Sequence, residues 1–252
     1  MNNASSEKDI LTIDICVCTF RRPHLAETLA SLAKLRLQSN WHVRVIVADN
    51  DEAGSAKEIT QHAMVASPFP VLYVHAPDRN ISIARNACLE TSSATQLVFI
   101  DDDELASPDW LSGLVGQQYQ TKADVILGPV MPRYPNSCAE WIRKENFHAI
   151  KPVWVHGKIV TGYTSNVLFI REAPSIRGMR FDPALGRTGG EDTLFFNAVH
   201  KAGGRFDFAK NAVVSEHVPP ERLELIWLIK RFFRSGQTHG SLLIANHTID
   251  PR

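Results

Sequence analysis

Long apolar runs are missing from this 252-residue chain. No stretch approaches the roughly 18 consecutive apolar residues that a membrane-spanning helix needs. Cysteine is scarce: Cys16, Cys18, Cys88 and Cys138 are scattered, and no C-x-x-C pair occurs. That pattern excludes a disulfide framework and suits reduced cytosolic thiols. A surplus of either charge is also absent, because Lys+Arg and Asp+Glu both number 27. Nothing in that balance supports a nucleic-acid binder. There is no internal repeat, no low-complexity segment and no linker-like stretch. Residues 1–9 are polar and acidic, unlike a signal peptide, so the expectation is a cytoplasmic protein.

What the chain does have is enough apolar material, 44% of residues, for a sizeable core. Its length suits one large domain, or one domain with an appended C-terminal piece. The first half alternates regularly. Residues 12–19 (TIDICVCT) read as a strand rich in β-branched residues. Pro23 then opens a helical stretch, LAETLASLAKL. Strands are expected at 43–48, 71–74, 97–100 and 125–127, with helices at 53–65, 81–91 and 108–120. Strand and helix alternating at this spacing imply a mostly parallel sheet covered on both faces. In such sheets ligands bind beyond the carboxyl ends of the strands. Thr19-Phe20-Arg21, Asp49-Asn50-Asp51 and Asp101-Asp102-Asp103 all fall at those ends, so three polar clusters should share one rim. The second half is less regular. It offers a strand at 165–170, a helix at 193–202, a strand ending in Ser215-Glu216-His217, and an apolar helix at 221–234.

Three consecutive aspartates in LVFIDDDELASPDW close what reads as a buried strand. Like charges this close repel, and burial raises their pKa values, so a cation should sit with them. Mn²⁺ or Mg²⁺ prefers carboxylate oxygens and commonly adds substrate phosphates to one or two of them. The alternative is an exposed acidic turn that caps the helix after Pro108. Asp49 can accept from a base N–H or a ribose hydroxyl, or simply shape a turn. In RNISIARN, Arg79 and Arg85 suit phosphate or base contact, while Asn80 suits a plain helix cap. GGEDTLF places Glu191 and Asp192 at a helix start. They could supply a general base for an alcohol, or answer the helix dipole. His217 at a strand end is either structural or a further metal ligand beside the acids.

These clusters occur in the order seen in family 2 glycosyltransferases, the inverting GT-A group, and the chain resembles bacterial exopolysaccharide glucosyltransferases of the succinoglycan type. The matching stretches are ICVCTFRRPHLAETLASL, VIVADND, RNISIARN, FIDDDELASPDWL, TSNVLFIRE and GGEDTLFFNAVHKAGG. The resemblance implies an α/β GT-A fold over residues 10–218. Its nucleotide-binding half would cover about 10–130 and its acceptor-binding half 131–218. Residues 219–252 would follow as a C-terminal helical segment that docks on the body or meets a membrane interface.

The resemblance also implies roles. Thr19 and Arg21 would line the donor pocket, Asp49 would face the base, and Arg85 would approach base or phosphates. Asp101 and Asp102 would bind ribose and the neighbouring sugar or phosphate. Asp103 would hold Mn²⁺ or Mg²⁺, with His217 similar to a metal-ligating histidine of some members. Asp192 would be the catalytic base, and Glu191 would help orient the acceptor. The expected partners are a nucleotide-sugar donor, UDP-linked, and a glycan or lipid-linked acceptor. The residues of ERLELIWLIKRFFRSG leave two readings, a helix docked as core or a peripheral contact with an anionic membrane in which Arg231 or Arg234 would face an acceptor's phosphates. Two departures stand out: the usual Asp-Asp after the second strand is Asp49-Asn50, and Q-x-x-R-W is absent, which argues against a processive polymerase. The rival readings are a degenerate nucleotide-sugar-binding module and another metal-dependent phosphoryl- or nucleotidyl-transfer enzyme.

Overall fold

The computed structural model describes residues 10–247. Strand β1 (Leu11–Thr19) is followed by α1 (Leu25–Leu32), β2 (Trp41–Asp49), α2 (Lys57–Ala66), β3 (Val71–His75) and α3 (Ile81–Thr91). Next come β4 (Gln96–Ile100), β5 (Glu104–Ala106), α4 (Trp110–Thr121), β6 (Val125–Leu127), β7 (Val130–Arg133) and α5 (Glu140–Glu145). A hairpin of β8 (Trp154–Val155) and β9 (Lys158–Ile159) leads to β10 (Asn166–Ile170), α6 (Glu191–Lys201), β11 (Phe206–Phe208) and β12 (Val214–His217). The described chain ends with a 3₁₀ turn at Pro220–Leu223 and the helix α7 (Leu225–His247).

Seven strands form the central sheet in the order β11-β6-β10-β4-β1-β2-β3. All run parallel except β10, which is antiparallel to both β4 and β6. The mostly parallel sheet therefore matches the expectation. The insertion of β10 between two strands from the first half was not legible, and it makes the two halves share one sheet. A second sheet, β5-β12-β7, stands beside it.

Side chains leave the central strands on alternate faces, as the period of two requires. Ile13, Ile15 and Val17 of β1, with Val98 and Ile100 of β4, join one core beneath α1 and α4. Cys16 of β1, with Leu97 and Phe99 of β4, joins the other core beneath α3 and α6. Strands buried on both faces read as continuous apolar runs, which is why β4 is QLVFI with every residue buried. Parallel pairing brings Thr19 level with Asp49, and Cys16 level with Phe99. The carboxyl ends of β1, β2 and β4 thus lie on one rim.

Helix α7 is 23 residues long, well beyond the stretch expected from sequence. It attaches through a small separate cluster in which Leu228 meets Cys138 and Ile142. Trp227 stacks on His148, with centroids 5.4 Å apart. Leu225, Ile226, Ile229, Phe232 and Phe233 stay exposed at 50 to 66%. Their spacing puts them on one side of the helix.

Candidate active site

A cleft of about 790 Å³ opens over the shared rim. The turn after β1 supplies Thr19, Arg21 and Arg22, and the loop after β4 supplies all three aspartates. Asp101 is driven up to about 7 by burial and by Asp103, Asp102 and Glu216, with Arg85 opposing. Burial and Asp103 lift Asp102 to about 6, against the Thr19 hydroxyl and Arg22. Glu104, fully buried beneath them, accepts from the Asp101 N–H at 3.0 Å, and burial raises it strongly as well. Arg22 is the nearest countercharge, 3.8 Å from Asp102 and 3.7 Å from Asp103.

This is a crowd of hard oxygen donors with only Arg22, among the described residues, within ion-pair distance of the three aspartates, the chemistry that suits Mg²⁺ or Mn²⁺. Among the described residues no three His, Cys, Asp or Glu side chains converge into a preformed metal cage.

The loop after β2 departs from expectation. Asp49, expected at the base, is fully buried and does not line the cleft. One of its oxygens accepts from the Asp51 N–H at 3.0 Å; the other takes the Ala56 N–H at 2.8 Å and the Tyr73 hydroxyl at 3.0 Å. It holds the loop and the start of α2. Asn50 reaches the cleft in its place, and Asp51 receives Arg21 Nε at 3.0 Å. Arg21 and Arg79 both have positive φ, 54° and 48°, and flank the Phe20 ring at 5.1 and 5.6 Å. Non-glycine residues rarely adopt that backbone, at a cost of about 1–2 kcal/mol each, and such outliers gather at binding loops.

The asparagines of RNISIARN were legible only as a cap and a polar face. Asn80 does cap α3, accepting from Ser82 N at 3.1 Å, and it also donates to Pro183 O at 2.8 Å. Asn86 makes a two-way bond with the Phe181 backbone. These bonds fasten the loop before α6 to the start of α3. The approach at Gly186 is so close that a Cβ there would fall 1.8 Å from Asn80 Oδ1.

That fastening sets the start of α6 against Arg85, which lines the cleft, while Glu191 and Asp192 themselves lie outside the lining residues. The buried Arg85 guanidinium is bonded to Glu191, whose Oε2 is buried without a partner among the described residues. Asp192 Oδ1 accepts from the Thr193 N–H at 2.7 Å and the Thr193 hydroxyl at 3.3 Å. Arg85 feels both acids. Gly189 and Gly190 each take φ 90°, and a Cβ on Gly190 would press on Thr238 of α7 at 3.1 Å.

His217 is exposed and lies outside the residues lining the cleft. Its neighbour Glu216, on the other side of β12, is the one that faces in. Glu216 is bonded to Arg222, and burial together with Asp103 raises its carboxyl. Sequence reasoning missed Glu216 and Arg222 as cleft residues, whereas Arg231, expected with Arg234 to face an acceptor's phosphates, does line the cleft. The only available signal was the run of polar residues after an apolar strand.

The family model described as Glycosyl transferase family 2 matches residues 14–177. The succinoglycan biosynthesis protein ExoM of Rhizobium meliloti (strain 1021) is 51% identical over 235 residues, covering 93% of this chain and 76% of that protein. A glucosyl-dolichyl phosphate glucuronosyltransferase of Haloferax volcanii is 27% identical over 249 residues, covering 90% of this chain and 75% of that one. Among solved structures, S. aureus TarS 1-349 in complex with UDP-GlcNAc aligns with a TM-score of 0.64 at 15% identity, over 83% of this chain and 59% of that chain. The mannosyltransferase PcManGT from Pyrobaculum calidifontis, in complex with GDP-Man and Mn²⁺, aligns at 0.66 and 18%, over 95% and 65%. At such identities these two likenesses speak for the fold alone.

Proposed function

The chain belongs to glycosyl transferase family 2, and on that premise we propose that it moves a single sugar, with inversion, from a nucleotide-diphosphate donor to a hydroxyl of a glycan or lipid-linked oligosaccharide. The donor is UDP-linked, and the setting is the assembly of a cell-surface polysaccharide, as the name of the Rhizobium relative suggests. One observation carries this reading. A single cleft gathers Asp101, Asp102 and Asp103 with Arg21, Arg79 and Arg85, and the Arg85–Glu191 bond draws a second carboxylate pair toward it.

Thr19, Arg21, Asp101 and Asp102 bind the nucleotide part of the donor. Asp103 would hold Mn²⁺ or Mg²⁺, and that ion would supply stabilisation of negative charge on the departing diphosphate. Asp192 accepts the proton of the attacking hydroxyl through Oδ2, because Thr193 engages only Oδ1. Glu191 Oε2, buried and unpartnered, receives a hydrogen bond from the acceptor and orients it. The acceptor oxygen attacks the anomeric carbon from the face opposite the diphosphate. The C–O bond to phosphate breaks in the same step, and no enzyme nucleophile is needed.

No helix among the described residues is long and apolar enough to cross a membrane. The exposed face of α7, with Lys230 and Arg234 beside it, suits the surface of an anionic bilayer instead, where a lipid-linked acceptor would lie. The direct test is release of UDP from UDP-sugars by the purified chain with Mn²⁺ and an extract of lipid-linked glycans. Silence across a panel of UDP-, GDP- and dTDP-sugars would overturn the reading.

A further inference from the structure

Most cations that line the cleft are paired with an acid. Arg21 has Asp51, Arg22 has Asp102 and Asp103, Arg85 has Glu191, and Arg222 has Glu216. Arg231 reaches the same cleft from α7. Among the described residues, no carboxylate lies within ion-pair distance of it or of Arg79, the other cleft cation without an acid, which lies over the Phe20 ring. The Arg231 guanidinium sits over the Trp227 ring, 5.4 Å from the centroid, and Arg222 lies 5.7 Å from the same ring. Burial lowers the Arg231 pKa from its ordinary value. Glu216 pulls it up, while Arg222 and Arg234 push it further down.

Two guanidinium groups against one ring, with one acid between them, leave an excess of positive charge in a partly dry place. Holding it there costs free energy unless an anion arrives. The ring holds the Arg231 guanidinium beside it, and a guanidinium fork suits a bidentate oxyanion. Trp227 is itself set by stacking on His148, whose Nε2 meets the Arg222 carbonyl at 2.9 Å. The docking of α7 and the position of Arg231 are therefore one event.

We propose that Arg231, with Arg222 beside it, forms a phosphate-binding position on the α7 side of the cleft. This rests on the sugar-transfer reading and deepens it by naming a group that the site recognises. Two sources can supply that chemistry: the diphosphate of the donor, and the phosphate of a lipid-linked acceptor presented where α7 meets the bilayer.

The test compares wild type, R231Q and R231K in two binding assays. The first is calorimetric titration with UDP plus Mn²⁺. The second is sedimentation with phosphatidylcholine vesicles carrying polyprenyl phosphate, set against vesicles of equal charge made with phosphatidylglycerol. R231Q should weaken one of the two by about tenfold or more, the scale of a lost charge-assisted bond. R231K, which keeps the charge without the fork, should fall between. Loss in the UDP arm assigns the donor diphosphate; loss specific to polyprenyl phosphate assigns the acceptor. Unchanged binding in both arms by either variant, with circular dichroism matching wild type, overturns the inference and leaves sugar transfer standing. Wild type that binds no UDP or GDP with Mn²⁺ would overturn both.

Discussion

Arg85 of α3 is bonded in the interior to Glu191 at the start of α6, and both side chains are only 8% exposed. The pair ties the two halves of the chain together beneath the cleft. A buried ion pair contributes little net stability, but removing one partner strands the other charge. R85Q should therefore lose about 3–5 kcal/mol of unfolding free energy. The double variant R85Q/E191Q should recover much of that loss. Urea denaturation of wild type, R85Q, E191Q and R85Q/E191Q measures the coupling, and an R85Q chain as stable as wild type would show that the pair carries no structural weight.

Asp192→Asn keeps shape and removes basicity. Turnover should fall by roughly 10²–10⁴ while the affinity for UDP with Mn²⁺ stays at the wild-type value. Glu191→Gln should cost less in turnover, because its task is orientation. The reverse ranking, with nucleotide affinity intact in both, would move the base to Glu191.

Asp103→Asn should remove the Mn²⁺ dependence of nucleotide binding, read by calorimetry with and without EDTA. His217→Ala should leave the Mn²⁺ titration unchanged, since His217 is exposed and outside the cleft. A shifted titration for His217→Ala would restore it as a ligand.

His148 bears on pH. It is buried between Tyr134, Trp227 and the Arg222 carbonyl. Burial lowers its pKa; the carbonyl bond opposes this, and Arg231 and Arg222 add to the lowering. The unfolded chain thus takes up the proton first. The contribution to stability is present above the ordinary histidine value of about 6.5 and is lost as pH falls below it. The melting temperature should drop more between about pH 7.5 and 5.5 for wild type than for His148→Phe, which keeps the ring on Trp227 and cannot titrate. Parallel curves would locate the acid sensitivity elsewhere.

The membrane contact is tested on residues chosen from the exposed side of α7. Ile226, Ile229 and Phe233, each 59 to 66% exposed, become Ser together, while Trp227 is left in place because it packs inward on His148. Wild type should sediment with anionic vesicles at low salt, and the triple variant should remain in the supernatant. Wild type that stays in solution would leave the apolar face without a bilayer partner.

The sequence by itself determined the parallel sheet and the rim. Residues 12–19, 43–48 and 97–100 are apolar runs separated by helix-length segments, and chain connectivity then forces their polar ends to one edge. The short pieces β5 (ELA), β7 (VMPR) and β11 (FDF) escaped because polar residues or proline interrupt them, whereas the equally short β6 (VIL) is a continuous apolar run. Which polar side chain at the rim faces a ligand was decided only by tertiary structure. Asp49 and Asn50 look interchangeable in a line of text, yet Tyr73 and the Ala56 N–H consume the aspartate and leave Asn50 for the cleft. Glu216 and His217 are adjacent, and the pleat of β12 chooses between them once β5 and β7 fix its orientation. Arg85 finds Glu191, and Arg231 finds Trp227 and the cleft, through packing that no local pattern encodes. Local sequence records whether a position is buried and at what period; the partner that consumes or spares a charge comes from far along the chain, so it is decided only when the chain folds.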